Sequence, residues 1–353
     1  MYVIDILNII FQVMIRISFI LSIILLTLFS CKGKSEKEVL VDFYEKGKFN
    51  GTVLIIKEGK VICDTALGYK NFEEKSLLTR DTPFCIASLT KPFTAVGIML
   101  LQQENLLSYD DKASRYIPDL PVYAQNVTIR QLLTHTSGLA DYENVLVSDH
   151  DKITNMDVMN FLKKQSGLRF PSGSRFEYSN SGYIVLGQII EALSGQTYRE
   201  FMNSRVFALL KMNHSFVYDA EIIPTSDMIK AYDINKKPDN YSLLTTGDGS
   251  LYSTARDLYK FDQALRKHQL LNNENSKLMY ELPILKDGKA SGYGFGWFVS
   301  DHAAMHTGGV DGFRSIIWRD LRSNTCIIAL TNQGDAFPVY EFLDAEKKAL
   351  NNK

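Results

Sequence analysis

A serine and a lysine three residues apart, Ser88-Leu-Thr-Lys91, stand at the head of a long apolar run. On a helix, residues at that spacing share a face, with Cβ atoms roughly 5–6 Å apart. A serine hydroxyl is a poor nucleophile until a neighbour takes its proton. Tyr178-Ser-Asn180 and then His306-Thr-Gly-Gly309 follow along the chain. These segments offer a nucleophile, two candidate bases and an oxyanion site, which are the parts acyl transfer needs. Neither base works unaided, because free lysine and tyrosine side chains titrate near about 10.4 and about 10. An ammonium beside a phenol favours phenolate and desolvation favours neutral lysine, so Lys91 and Tyr178 are expected to titrate as a coupled pair. Alone, the S-x-x-K pattern reads more readily as an N-cap serine followed by a solvated lysine. The two later segments are what tilt it towards chemistry.

The elements that must hold these residues can be read from periodicity. Phe93, Val96, Ile98, Met99, Leu100 and Leu101 make the run after Lys91 apolar nearly all round, as in a helix buried in a large core. Pro92 is tolerated only near a helix start, so that helix is expected to begin close to Ser88, with the hydroxyl at the positive end of its dipole. Upstream, Glu36 to Lys46 reads as a helix ending at Gly47, and Thr52–Ile56 with Val61–Leu67 flank Glu58-Gly59 as a hairpin. Between residues 105 and 290 the pattern is mostly helical. Thr128 opens one helix, Asn180 to Leu193 forms another with Asn180 as a candidate cap, and Thr254-Ala-Arg-Asp257 caps a third. Strand signals return at Gly294–Val299, Phe313–Trp318 and Cys326–Thr331, before a closing helix over Phe337–Leu350. Strands at both ends with helices between predict an α+β fold. It would be one mainly antiparallel sheet built from about 36–105 and 290–353, with an all-helical lobe, about 106–289, inserted.

Six blocks of the chain resemble the serine beta-lactamase and penicillin-binding-protein superfamily, specifically its class C-like branch. Phe84-Cys-Ile-Ala-Ser-Leu-Thr-Lys-Pro-Phe-Thr-Ala95 is similar to the nucleophile segment, and Pro171-Ser-Gly-Ser-Arg-Phe-Glu-Tyr-Ser-Asn-Ser-Gly-Tyr183 to the tyrosine motif. Leu132-Leu-Thr-His-Thr-Ser-Gly-Leu139, Gly249-Ser-Leu-Tyr-Ser-Thr-Ala-Arg-Asp-Leu258, Tyr293-Gly-Phe-Gly-Trp297 and His306-Thr-Gly-Gly-Val-Asp-Gly-Phe313 complete a collinear set. The resemblance implies the beta-lactamase/transpeptidase-like fold and a serine hydrolase working through an acyl-enzyme on Ser88. Lys91 and Tyr178 would handle the proton, with Tyr178 favoured as the immediate base, and Asn180 would bond the substrate amide or the Lys91 head. The backbone N–H groups of Ser88 and Gly309 would form the oxyanion hole, and Gly308 and Gly309 would let substrate approach the strand closely. His306 stands where beta-lactamases of this superfamily carry lysine. It is expected to contact a substrate carboxylate, with a charge that changes in the working pH range. The substrate expected is a small ester or amide, among them a D-amino-acid peptide; a beta-lactamase and a non-catalytic penicillin-binding or scaffold protein of the same fold are the alternatives. His135 is read either as a site residue or as a brace for the Leu132–Leu139 loop.

Composition fits this reading. Of 353 residues 22% are charged and 45% hydrophobic, and with a formal net charge of -1 no charge excess points to nucleic acid. The cysteines and six histidines match no metal-ligand spacing, so neither metal nor cofactor is expected, and Cys63, Cys85 and Cys326 read as buried small apolar residues. Ile17 to Phe29 is an apolar stretch behind Arg16, and Leu28-Phe-Ser-Cys31 resembles a lipoprotein cleavage box. Residues 1–31 are therefore expected to be a signal peptide with Cys31 as the lipidated residue, and 32–353 the hydrolase domain. That places the protein at the cell envelope, on a membrane through its lipid. Asp5, Asn8 and Arg16 interrupt the uncleaved-helix alternative, and Met14 is a second candidate start.

Overall fold

The computed structural model describes residues 34–146, 152–219, 221, 228–239 and 244–351. The expected signal segment and Cys31 lie outside the described residues. Helix α1 (Glu36–Glu45) opens the fold, capped by Ser35 and Glu38 in reciprocal bonds and closed by Gly47 with φ +68. Strands β1 (Gly51–Lys57) and β2 (Lys60–Leu67) form the expected hairpin. Helix α2 (Lys91–Gln103) carries the apolar run and is buried from Lys91 to Leu101. The lobe contributes α3 (Ile129–Leu133), α4 (Asn180–Ser194) and α5 (Ala255–Arg266). Thr128 and Thr254 cap α3 and α5 as their sequence predicts. The chain then returns through β3 (Phe298–Ser300), β4 (Ala303–Val310), β5 (Phe313–Asp320) and β6 (Cys326–Thr331) to α6 (Val339–Asn351).

The six strands form one antiparallel sheet in the order β3-β4-β5-β6-β1-β2, so the first hairpin closes against the last strand. Both faces are covered, and the two-residue period decides which face each side chain serves. In β1, Val53 and Ile55 pack under α1 and α6 with Phe43, Phe49 and Phe342; Leu54 and Ile56 join the larger core around α2 and the lobe. β6 alternates the same way, with Ile327 and Ala329 on one side and Ile328 and Leu330 on the other. Each large apolar side chain buried here contributes roughly 1.5–3 kcal/mol, so both layers hold the sheet rigid behind the site.

Two expectations need correction. Gly294–Trp297 is not strand: β3 starts only at Phe298, because Gly296 turns with φ +83 and its Cα sits against Pro92, where a Cβ would lie 2.8 Å from the proline Cα. The apolar alternation around Phe295 and Trp297 serves the core, with one isolated bridge from Tyr293 to Phe298 in place of a ladder. The region 106–289 is also not purely helical. Phe216–Val217 and Leu251–Ser253 pair with each other, and Leu251–Ser253 pairs with Phe84–Cys85, which ties the lobe to the segment before Ser88.

Candidate active site

Ser88 lies in a short 3-10 turn, Ala87–Thr90, that runs straight into α2. The expected helix start is thus one turn later, at Lys91, with Pro92 in its first turn. Ala87 is held at φ +47, a left-handed conformation that a residue with a Cβ rarely adopts. It turns the chain sharply between the Phe84–Cys85 strand and the helix. Ser88 is half-buried while Ala87, Leu89, Thr90 and Lys91 are buried, so its hydroxyl is the reactive group that solvent can reach.

Lys91 is fully buried, and its Nζ faces three acceptors: Ser88 Oγ at 3.0 Å, Asn180 Oδ1 at 2.6 Å and the main-chain oxygen of Asp248 at 3.0 Å. An ammonium has three N–H groups for these three atoms. Burial pushes the lysine pKa down, and the carboxylates of Asp248, Glu143 and Asp141 oppose that. Nζ also lies 4.9 Å from the centre of the Tyr178 ring. Desolvation pushes the Tyr178 phenol well above its ordinary range, and the Ser88 hydroxyl, which favours phenolate, opposes it. The serine hydroxyl therefore meets Lys91 directly, and the Tyr178 ring lies beside that amine.

The neighbours of this triad hold it in place. Asn180 opens α4, one residue after the N-cap Ser179, so its side chain is free to bond Lys91 on one end and Asp141 Oδ2 at 3.1 Å on the other. His135 accepts the Ser179 N–H on Nδ1 at 3.1 Å and lies against the Tyr178 ring, with centroids 4.1 Å apart. It braces the tyrosine from its own strained position at φ +55.

β4 runs beside the nucleophile turn. Gly308 presses its backbone onto the Ile86 carbonyl so closely that a Cβ would lie 1.9 Å from that oxygen, and Ser315 Oγ donates to the same carbonyl at 2.8 Å. Gly309, the next residue, is exposed. His306 behaves differently from the expectation of a charge switch. Its Nδ1 lies 2.6 Å from the Thr307 carbonyl, which can only accept, so Nδ1 carries the hydrogen. Nε2 then accepts from the Tyr293 hydroxyl at 3.0 Å. The ring is buried and both nitrogens are engaged. Desolvation pushes its pKa down to about 3, so it is neutral across the physiological range.

Sequence reasoning singled out Ser88, Lys91, Tyr178 and Asn180, and the structure brings these side chains together. It missed Asp141, Tyr142 and Asp248. Asp248 reaches Lys91 through its main-chain oxygen, which carries no residue-type signal, and Asp141 reaches it only through Asn180.

An antiparallel sheet flanked by helices, with a serine, a lysine and a tyrosine gathered where the sheet meets the lobe, is the architecture of the serine beta-lactamase and penicillin-binding-protein fold. The chain belongs to the Beta-lactamase family, whose model matches residues 37–349. It is 34% identical over 315 residues to Penicillin-binding protein 4* of Bacillus subtilis (strain 168), covering 82% of this chain and 69% of that protein. Among solved structures it is similar to the octameric penicillin-binding protein homologue from Pyrococcus abyssi, with a TM-score of 0.78 and 26% identity over 90% of this chain and 77% of that one. D-amino acid amidase from Ochrobactrum anthropi SV3, complexed with L-phenylalanine amide, gives a TM-score of 0.74 and 27% identity over 89% and 96% of the two chains.

Proposed function

We propose that this protein is a serine hydrolase that cleaves small esters or amides, amides of D-amino acids among them, through an acyl-enzyme on Ser88. The observation that carries the reading is the Ser88 hydroxyl bonded to the Lys91 amine at 3.0 Å, with the Tyr178 ring centre 4.9 Å from that amine. Tyr178, as phenolate with its own proton held on Lys91 as the ammonium, takes the serine proton as Oγ attacks the carbonyl, and returns it to the leaving group as the tetrahedral intermediate collapses. Lys91, held by Asn180 and the Asp248 carbonyl, supplies the positive charge that stabilises the phenolate while it exists. The N–H groups of Ser88 and Gly309 receive the oxyanion, and losing one such donor typically costs about 3–4 kcal/mol of transition-state stabilisation. Water repeats the sequence on the acyl-enzyme. Asn180 offers its amide to the substrate's acyl side.

The neutral His306 favours substrates without a carboxylate at that position, because an uncharged imidazole with both nitrogens engaged gives a carboxylate no counter-charge. The amidase among the similar structures supports the amide reading; Penicillin-binding protein 4* supports an acylable serine. We further propose residues 1–31 as a leader that leaves Cys31 lipidated and residues 32–353 at the cell envelope; the mass of the mature N-terminus tests this, and an unmodified N-terminus elsewhere overturns it. A panel of p-nitrophenyl esters, D-amino-acid amides and nitrocefin tests the activity. Turnover of esters or amides that is lost in Ser88→Ala supports the reading, and turnover that survives the substitution refutes it.

A further inference from the structure

Asp248 sits in the Thr245–Ser250 segment, and its side chain is only 2% exposed. While its main-chain oxygen accepts from Lys91 Nζ, its carboxylate Oδ2 accepts from the Tyr142 hydroxyl at 2.8 Å. Tyr142 is itself fully buried, with Oη 3.2 Å from Thr245 Oγ1 and its backbone N–H on Ser181 Oγ at 3.0 Å. The preceding carbonyl, of Gly247, accepts from Thr94 Oγ1 on α2 at 2.5 Å. The segment is thus bolted to the helix that carries Lys91 and, through Tyr142, to the loop that carries Asp141. Oδ1 of Asp248 has no hydrogen-bond partner among the described residues. Burial pushes the pKa of this carboxylate up, and the charge of Lys91 and the bond from Tyr142 oppose that.

We propose that Asp248 is a positioning residue for Lys91: its main-chain carbonyl fixes Nζ, and its carboxylate, anchored by Tyr142, holds that carbonyl in place and adds a negative charge to the lysine's surroundings. The proposal rests on the acyl-enzyme reading of Ser88. The groups around Lys91 from the other elements are Ser88 on the nucleophile turn, Asp141 on the loop after α3 and Glu143 at the start of the short helix Glu143–Leu146, His135 at the end of α3, Tyr178, Asn180 and Tyr183 at the start of α4, and His306 on β4. Of these, Asp141 and Glu143 share the negative sign of Asp248. A carboxylate nearby raises the proton affinity of Lys91 and of Tyr178 alike. Removing it lowers both, whichever of the two holds the serine proton.

The experiment measures the rate of Ser88 labelling by a fluorophosphonate against pH, in wild type, Asp248→Asn and Tyr142→Phe. Asparagine keeps an acceptor for Tyr142 and the main-chain carbonyl, so it removes chiefly the charge. The rising acid limb of the profile is expected to move to lower pH by about one unit in Asp248→Asn. Tyr142→Phe strips the carboxylate of its donor and is expected to move the limb the same way by less. A uniform fall in rate with the limb unmoved in these variants overturns the proposal, since a merely structural aspartate would give that result. If Asp248→Asn fails to fold, the Tyr142→Phe limb decides alone. Wild type that never labels at Ser88 refutes the acyl-enzyme reading and the proposal with it; labelled wild type with unmoved variants refutes the proposal only.

Discussion

Glu346 on α6 is fully buried, and neither carboxylate oxygen has a hydrogen-bond partner among the described residues. Desolvation, with the negative charge of Glu36 on α1 added, pushes its pKa from 4.5 up to about 8. At about 1.4 kcal/mol for each pH unit between those values, linkage puts on the order of 5 kcal/mol on this one proton. The folded pKa is the higher one, so the contribution is fully present below about pH 4.5 and is lost as pH rises through about 8. Roughly two thirds of it has gone by pH 7. Glu346→Gln replaces the group with a neutral amide of similar shape and removes the titration. Urea unfolding monitored by circular dichroism, at pH values spaced from about 5 to about 9, should show variant and wild type with similar midpoints at the acid end. At the alkaline end the variant should be more stable by a few kcal/mol. Because other carboxylates titrate in both proteins, the difference between the two curves isolates Glu346. A difference that does not change with pH refutes the buried, proton-holding glutamate, and with it the assignment of α1 and α6 as one tightly packed layer.

Three further outcomes follow from the geometry. Lys91→Ala, Tyr178→Phe and the double variant should each lose roughly 10²–10⁴-fold in acyl transfer, with the double no worse than the worse single, because the residues share one proton transfer; full additivity argues against that. His306→Asn should leave the shape of the pH–rate profile unchanged between about pH 5 and 8, because the native ring stays neutral there; an inflection near neutrality that vanishes in the variant contradicts the neutral assignment. Asp262 meets the buried Arg319 Nε at 2.8 Å and the Arg266 Nε at 2.8 Å. Asp262→Ala leaves the Arg319 charge unpaired in the core and should destabilise the fold by roughly 3–5 kcal/mol in urea unfolding, whereas a loss under 1 kcal/mol contradicts a buried pair.

How far the chain could be read depends on which bonds carry the structure. The hairpin, the capped helices and the closing strands follow from side-chain periodicity and cap chemistry, so Thr52–Ile56, Thr128 and Cys326–Thr331 were legible. The Gly294–Trp297 run misled because a core turn and a strand can share the same apolar alternation; the φ of Gly296 decides between them. Ser88, Lys91 and Tyr178 were legible as residue types at useful spacings. The Asp248–Tyr142 brace was not, since it works through a backbone oxygen and a contact between residues far apart in sequence. The charge of His306 was misjudged for a related reason: the Tyr293 hydroxyl and the Thr307 carbonyl, not the motif, set its protonation.

The central claim is a covalent one, and intact-protein mass spectrometry tests it directly. Treated with a fluorophosphonate, the protein should gain a single adduct that peptide mapping places on Ser88, at a rate that falls sharply in Lys91→Ala and Tyr178→Phe, and Ser88→Ala should gain none. An adduct on another serine, or labelling of Ser88 at an unchanged rate without Lys91 and Tyr178, would contradict the account.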